Sequence, residues 1–441
     1  MGVPASNRDN PVDLPYHSRR VLPSSPSDER AAFSHPLERP MRAVTVVGGG
    51  FSGLATAYYL SHAGIPVEII EKTDRLGGLI ATLQTPHGPV ETAAIGMRNG
   101  ARVDAVCRDL GLPMLCSTQS ASRAGYIYRQ RPRRWPLSPG ESLALVARFA
   151  TATARGARRP RPLETVEEWG SRVLGRQATP WLLGPFLQGR YAGDPASLSA
   201  SLLFGTGEPP TRRARKGVVA PVGGMQQLID ALACRLRTRD VTIRLSTPAR
   251  LDGSTPSVIC TSACDAAEIL RDVAPTASEA LSTIDMLPLV RITAFYADEE
   301  THQRGRGILF PRGGDIRALG VVFNRNIFPR RGGHYSESWI YGGAADRDVV
   351  QLAEDDLGRV MDRDRQLLCG RCVAPVARVV HRWRAALPHY DLQLESVRAR
   401  GLGLPKGVFL VGNYVGGIGV PMLLEQAAAV ANRVREMGSP P

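Results

Sequence analysis

The segment AVTVVGGGFSGLATAYYL, residues 43–60, decides the fold. Its first part, Ala43–Val47, is a short apolar run of β character, and the glycines Gly48, Gly50 and Gly53 follow at once, ahead of a helical pattern. In this order of strand, turn and helix, the first glycine permits a tight turn, the second lets the backbone approach a pyrophosphate, and the third lets helix and strand pack closely. The segment therefore predicts a dinucleotide site at the start of a helix, where free N–H groups favour phosphate.

The residues after this helix extend the pattern. The run PVEIIE, Pro66–Glu71, predicts a second strand. It places Glu71 about twenty residues beyond the glycines, where an acid accepts ribose hydroxyls. We expect Phe51 and Ser52, in the first helical turn, and Lys72, next to the acid, to border the same ligand.

A second glycine turn narrows the nucleotide. The run DRLGGLIAT, Asp74–Thr82, supplies Arg75 and the pair Gly77 and Gly78 directly after the acid. A nicotinamide dehydrogenase does not need this element, whereas many flavoproteins meet FAD with a glycine turn and a basic group here. The pattern therefore favours FAD as the resident cofactor.

The C-terminal region predicts another strand, turn and helix. GVFLVGN, Gly407–Asn413, reads as a buried strand, YVGGIGVP, Tyr414–Pro421, as a glycine-rich turn, and Met422–Met437 as a helix. Such a helix N-terminus stabilises an anion or a ring that gains negative charge; the alternative is a packed strand–helix unit without a ligand. The residues expected to touch the cofactor are Gly412, Asn413, Gly419, Val420 and Pro421.

Composition limits the class of protein. The chain has 441 residues, of which 43% are hydrophobic, and no run approaches the roughly 20 apolar residues of a membrane-spanning helix. The formal charge is +14, with arginine clusters at 129–134, 155–162 and 212–216. Because these clusters lack interleaved aromatic residues, we expect no nucleic-acid partner. Solvated loops, anionic lipid or an acidic substrate remain as interpretations of the charge.

The termini and cysteines indicate a compartment. The seven cysteines are too few for a disulfide scaffold, and their odd count favours reduced thiols, so we expect a cytoplasmic protein. Residues 1–40 are rich in Pro, Ser and Arg, and they predict a disordered extension without a secretory signal. The apolar helix expected over Leu137–Gly156 is flanked by arginines, a pattern that suits peripheral contact with the inner face of a membrane or packing on its own domain.

Four internal segments carry a resemblance. They are the YAGDPASLS turn, Tyr191–Ser199; PVGGMQQLIDALACRL, Pro221–Leu236; the strand region Gly305–Arg331; and HRWRAALPHY, His381–Tyr390. Together with the two glycine regions, in this order, the chain from about residue 42 onward resembles the FAD-dependent protoporphyrinogen and coproporphyrinogen oxidases within the amine oxidase-like flavoproteins.

The resemblance implies an α/β architecture. A Rossmann-type FAD-binding domain would be assembled from the discontinuous segments 41–98, 217–286 and 401–437. A helical insertion would cover 99–216, including the membrane-contact candidate, and a mixed-sheet substrate domain would cover 287–400.

The resemblance also implies a reaction. A porphyrinogen would lose hydrogens to the flavin and become the conjugated porphyrin, and dioxygen would reoxidise the flavin to give hydrogen peroxide. Trp383 would lie beside the flavin. Such a site needs an apolar slot and cations rather than a nucleophile, and we identify no catalytic triad and no metal cluster. The expected substrate-binding residues are Arg98, Arg123, Arg306, Gly307 and Leu309.

Departures from the family pattern leave alternatives open. Ala93 and Ala94 occupy places where the family has glycine and proline. The arginine expected before the YIY strand falls on Gly125, with Arg123 as a stand-in, and Arg306 replaces an aromatic or apolar residue. The alternatives are another flavin amine oxidase or desaturase-like enzyme with a specialised substrate, or a flavin-binding paralogue without turnover.

Overall fold

A parallel five-stranded sheet forms around the first glycine turn. The structure is a computed structural model that describes residues 43–118, 125–205, 217–297 and 305–438. With strands numbered along the chain, the order is β10, β2, β1, β11, β17. These strands are β1 (Val44–Val47), β2 (Val67–Ile70), β10 (Thr242–Arg244), β11 (Ser257–Ile259) and β17 (Val408–Leu410).

Three helices cover this sheet because their apolar faces match its β-branched strands. Leu54 from the first helix, Leu228 from the seventh and Leu424 from the last pack into one buried cluster with Val46 and Ile69. These three helices are α1, α7 and α13 in the numbering used below.

The α-helices of the described residues, numbered along the chain, are α1 (Phe51–His62), α2 (Ala101–Asp109), α3 (Pro139–Ala154), α4 (Val166–Val173), α5 (Gly184–Tyr191), α6 (Ala200–Phe204), α7 (Met225–Arg237), α8 (Ala263–Leu270), α9 (Pro275–Ser282), α10 (Asn324–Ile327), α11 (Glu354–Cys369), α12 (Leu392–Arg400) and α13 (Val420–Gly438).

A second, mixed sheet has seven strands in the order β16, β12, β15, β14, β13, β7, β8. All neighbours pair antiparallel except β13 and β7, which run parallel. The strands are β7 (Gly125–Arg129), β8 (Arg131–Arg133), β12 (Met286–Tyr296), β13 (Gly307–Leu309), β14 (Gly320–Phe323), β15 (Tyr335–Gly342) and β16 (Ala377–Pro388).

The two faces of the seven-stranded sheet differ in chemistry. Since side chains alternate along a strand, one face carries Ile292 and Trp339, which pack with Leu357 of α11 in a buried cluster. The opposite face carries Arg291 of β12 and, paired with it across the ladder, His381 of β16. We call this second face the cofactor-side face.

Two smaller sheets complete the described structure. β3 (Thr82–Thr85) pairs with β4 (Gly88–Glu91), and β9 (Val218–Pro221) lies between β5 (Met97–Arg98) and β6 (Met114–Cys116).

The segment 99–216, expected to be a helical insertion, is not purely helical, because it contributes β7 and β8 to the seven-stranded sheet. Met41–Pro441 forms one compact unit, and the domain limits stay a prediction. The predicted extension 1–40 lies outside the described residues. Among those that are described, no helix combines the length and apolar character that crossing a membrane requires.

Candidate cofactor and substrate site

The first glycine turn has two positions where only glycine fits. Gly48 has a φ of +107°, and a Cβ there would lie 2.9 Å from the carbonyl oxygen of Cys260. A Cβ on Gly53 would lie 1.8 Å from the carbonyl oxygen of Gly48. The tight turn and the close packing of α1 on β1 therefore both depend on missing side chains.

Gly50 lies at an open position. A Cβ there would meet only the Cα and N atoms of Gly78, at 3.7 and 3.9 Å. The second glycine turn lies directly alongside, because the Gly77 N–H donates to the Gly49 carbonyl at 2.9 Å. No side chain caps the N-terminus of α1, which begins at Phe51 with Ser52 in its first turn. Two glycine turns and uncapped N–H groups fit the pyrophosphate of a dinucleotide.

Glu71 is held at the end of β2 by the protein itself. One carboxylate oxygen accepts the Gly49 N–H at 2.6 Å, and the other accepts the N–H and hydroxyl of Thr73 at 2.9 and 2.8 Å. A carboxylate has about four acceptor positions, so these bonds leave room for a single further donor. The predicted ribose contact of Glu71 is therefore limited to that position.

The two basic residues near this acid have local partners. Lys72 pairs with Asp265 at 2.5 Å. The Arg75 guanidinium donates to the carbonyls of Leu76, Gly78 and Ile80 around the second glycine turn. Arg75 therefore stabilises the turn, and its predicted cofactor contact is additional to that role.

The C-terminal turn contains polar atoms without partners. The Gly412 N–H donates to Gln426 at 3.2 Å, and the Asn413 carbonyl accepts from the Tyr390 hydroxyl and from Arg398. Within the part of the chain that the structure describes, the buried side-chain oxygen of Asn413 and side-chain nitrogen of Gln426 have no hydrogen-bond partner. Leaving such atoms unpaired is costly, so they fit a region that receives a polar ligand.

The N-terminus of α13 follows this turn. Gly419 has a φ of +116°, and its carbonyl accepts the N–H groups of Met422 and Leu423 as the helix begins at Val420. Pro421 has no N–H, so the glycine conformation and the proline together fix the direction of entry. The positive end of this helix dipole favours an electron-rich group at the turn.

Trp383 connects the cofactor-side face to the first half of the site. Its indole N–H donates to the Thr92 carbonyl at 3.3 Å, and its ring lies 4.5 Å from the His381 ring. Burial, together with the positive charges of Arg75 and Arg291, lowers the pKa of His381. The imidazole is therefore neutral at neutral pH.

Arg291 and Glu91 form a buried pair of anchors that the sequence reasoning did not assign to the site. Arg291 donates to the carbonyls of Glu91 and Ala93 at 2.8 and 2.5 Å, and burial lowers its pKa to about 10. The Glu91 carboxylate accepts the Met225 N–H at 3.0 Å and pairs with Arg331 at 2.8 Å. Burial raises the pKa of Glu91 despite that pairing. The sequence did contain a signal for Arg291, because it is a charged residue inside the otherwise apolar strand β12.

The five predicted substrate residues do not all lie together. Gly307 and Leu309 lie on β13, whose register places them on the cofactor-side face. Arg306 precedes them and is exposed, whereas Arg98 is exposed on β5 in the separate three-stranded sheet. Arg123 lies outside the described residues.

A groove of about 750 Å³ lies elsewhere. Met286, Pro288 and Arg382 are among its lining residues. Because Arg382 alternates with His381 and Trp383 along β16, this groove opens on the opposite face of the sheet. It is therefore not part of the candidate site.

The sequence of this chain matches the family described as flavin containing amine oxidoreductase over residues 51–435. The chain belongs to this family. Its cofactor is accordingly a flavin, and the pyrophosphate-binding fold identifies that flavin as FAD. The flavoenzyme is an oxidoreductase with an α/β fold.

Two relatives match this flavoenzyme over nearly their whole length. It is 26% identical over 510 residues to the chloroplastic protoporphyrinogen oxidase of Oryza sativa subsp. japonica, covering 95% of this chain and 92% of the relative. It is 27% identical over 442 residues to the coproporphyrinogen III oxidase of Mycobacterium leprae, covering 88% and 96%.

A solved structure from Exiguobacterium sp. 255-15, proposed to be a protoporphyrinogen oxidase, superposes on this flavoenzyme. The TM-score is 0.74, at 19% identity, over 90% of this chain and 99% of the other. This likeness concerns the fold.

Proposed function

We propose that this flavoenzyme oxidises a porphyrinogen, protoporphyrinogen IX or coproporphyrinogen III, to the corresponding porphyrin with dioxygen as the acceptor. The observation that carries the proposal is the cofactor-side face, which combines the apolar Leu309 and the half-buried Trp383 with the exposed cation of Arg306. Such a surface suits a flat macrocycle with acidic substituents. Relatives named for both substrates support it.

The chemistry requires position more than reactive side chains. Each of the three two-electron oxidations removes a hydride from a saturated bridge and a proton from an N–H group or a second bridge, so that four bridge C–H and two N–H hydrogens are lost in all and the rings become conjugated. When bound, FAD supplies the hydride acceptor, and each reoxidation converts one dioxygen to hydrogen peroxide. Among the described residues, no group of three or more His, Cys, Asp or Glu side chains could hold a metal ion. The protein's contribution would be to orient the substrate and exclude water.

The proposed cofactor contacts divide between the two glycine regions. Gly50 and Gly78 would face the pyrophosphate, and the N–H groups of the first turn of α1 would donate to it. Near the C-terminal turn, the side-chain oxygen of Asn413, which has no hydrogen-bond partner among the described residues, and the N-terminus of α13 would meet the flavin end. Trp383 of the seven-stranded sheet, whose indole N–H donates to the Thr92 carbonyl, would border the flavin.

A second candidate is an amine oxidase or desaturase-like reaction on a specialised substrate. Arg306 favours it, since an exposed guanidinium interrupts what would otherwise be an apolar contact surface. A paralogue that binds flavin without turnover is the third candidate.

We also propose that α3 contacts an anionic membrane surface. Leu143, Val146 and Phe149 follow one another at three-residue spacing and are 73%, 60% and 42% exposed. The guanidinium of Arg158 lies 5.3 Å from the Phe149 ring, at the edge of this apolar strip. An exposed apolar strip beside arginines suits an interfacial helix.

The direct test uses the purified holoenzyme under air with each porphyrinogen. Porphyrin fluorescence should rise while dioxygen is consumed and hydrogen peroxide forms. Gly50→Val, which we expect to lose flavin, is the matched control. A flavin-loaded protein that yields porphyrin no faster than this control would contradict the proposal, and turnover without peroxide would contradict the choice of acceptor.

A further inference from the structure

Arg306 occupies the space of a side chain that position 125 lacks. A Cβ built on Gly125 would lie 3.0 Å from Nε and 3.1 Å from Nη2 of Arg306. These distances are shorter than ordinary contacts, so the guanidinium lies directly over the Gly125 backbone. The residue that directly precedes β13 thus covers a bare position on the neighbouring strand β7.

Strand alternation gives the direction in which this guanidinium lies. Gly125 pairs with Gly307 and Ile127 with Leu309 in the parallel β7–β13 ladder. Tyr128, which alternates with these residues, contacts Phe310, and Phe310 belongs to the cluster beneath α11. A Cβ on Gly125 therefore projects from the cofactor-side face, and the Arg306 guanidinium lies on that face too.

The backbone around Arg306 is fixed. Gly305 has a φ of +85°, and its carbonyl accepts the side-chain N–H of Asn326 at 2.6 Å. A Cβ on Gly307 would lie 2.3 Å from the Val321 carbonyl oxygen, and the Arg306 carbonyl accepts the Phe323 N–H at 3.0 Å. The arginine is therefore placed by its own strand and by β14.

The guanidinium itself has donors to spare. Arg306 is exposed, and within the described ranges no acceptor takes a hydrogen bond or ion pair from it. A guanidinium offers a planar fork of donors that matches a carboxylate.

We infer that Arg306 binds a carboxylate of the substrate and selects macrocycles with ionised acidic side chains. It would do so in place of the arginine that the family pattern has at position 125, where this chain has glycine. This inference rests on the proposed porphyrinogen oxidation. It assigns the recognition of acidic substituents to the residue that precedes β13 instead of to β7.

The test compares a porphyrinogen as free acid with its methyl ester. In Arg306→Gln holoenzyme the KM for the free acid should rise about tenfold or more, because a charge-assisted hydrogen bond is lost. The kcat and the KM for the ester should change little, and Arg306→Lys should recover part of the free-acid KM. Arg363→Gln, which removes an exposed arginine from α11 beneath the opposite face, is the matched control and should leave both KM values unchanged.

A second variant tests the placement without removing the charge. In Gly125→Ala the new methyl group should displace the guanidinium and raise the free-acid KM, while the flavin spectrum and thermal midpoint stay as in the wild type. If Arg306→Gln leaves the free-acid KM and the acid-to-ester ratio unchanged in an active enzyme, the inference is wrong and the proposed function stands. If the wild type oxidises neither form, the proposed function fails and the inference falls with it.

Discussion

Replacing Gly50 or Gly53 by alanine should produce two different defects, although the two glycines lie in the same turn. At Gly50 a methyl group would have only the Gly78 backbone near it, at 3.7 and 3.9 Å, and the backbone φ of −70° suits alanine. At Gly53 the methyl group would lie 1.8 Å from the Gly48 carbonyl oxygen. We therefore expect Gly50→Ala to impair flavin binding and Gly53→Ala to impair folding.

The magnitudes follow from these contacts. Gly50→Ala should change the free energy of unfolding of the apoprotein by no more than about 0.5–1 kcal/mol. It should weaken flavin affinity roughly tenfold to a hundredfold, as expected if one charge-assisted hydrogen bond to the pyrophosphate is lost. Gly53→Ala forces α1 away from the turn by roughly 1.5 Å, and overpacking of this kind costs about 1–3 kcal/mol. Gly50→Val should abolish flavin retention.

Two measurements separate the outcomes. Urea unfolding of the flavin-free proteins reports stability, and flavin fluorescence quenching during reconstitution reports affinity. Gly140→Ala, in the exposed first turn of α3 with helical backbone and no atom within 4 Å of the new Cβ, controls for a glycine replacement that leaves the turn intact. If Gly50→Ala binds flavin like the wild type, the pyrophosphate does not lie against Gly50 and the placement of the cofactor is wrong.

Three further results are expected. His381→Gln should lose less stability on acidification than the wild type. The pKa of His381 is lowered in the native state, so protonation destabilises that state as the pH falls below the unfolded-state pKa of about 6.5. Thermal midpoints of both proteins at pH values above and below about 6.5 test this, and equal losses would contradict it. Arg365→Leu should lower the free energy of unfolding by about 3–5 kcal/mol by leaving the buried Glu337 carboxylate unpaired, and urea titration should show partial recovery on adding Glu337→Gln. Leu143→Ser combined with Phe149→Ser should reduce cosedimentation with anionic vesicles and leave flavin content unchanged; undiminished binding would exclude α3 as the contact.

Local patterns predicted the cofactor half of the fold well. The expected strand Ala43–Val47 is β1, Val44–Val47, and the strand within Pro66–Glu71 is β2, Val67–Ile70. Thr165 and Glu168, three residues apart, form a capping box in which both hydrogen bonds are present. These features depend on residues a few positions apart, so sequence spacing alone determines them.

Long-range pairing was beyond the sequence. The segment Pro221–Leu236 packs into the buried cluster of the parallel sheet through α7, but the register of the strand before it, Val218–Pro221, places that strand between β5 and β6 in a separate sheet. The overlap of Arg306 with Gly125 also depends on the register of β13 against β7. Periodicity specifies which face a side chain takes, but the partner strand is chosen by the packing of the whole sheet.

Arg291 explains how the chain tolerates its departures at Ala93 and Ala94. In the family pattern these places are filled by residues with distinctive backbone preferences, so alanine there leaves the loop after β4 less constrained by its own sequence. Arg291 supplies the constraint from outside, since its buried guanidinium binds the Glu91 and Ala93 carbonyls. Moving the loop away would strand a buried cation, at a cost on the order of 3–5 kcal/mol. The same arginine belongs to β12 of the seven-stranded sheet, so the loop and the cofactor-side face must keep their relative position.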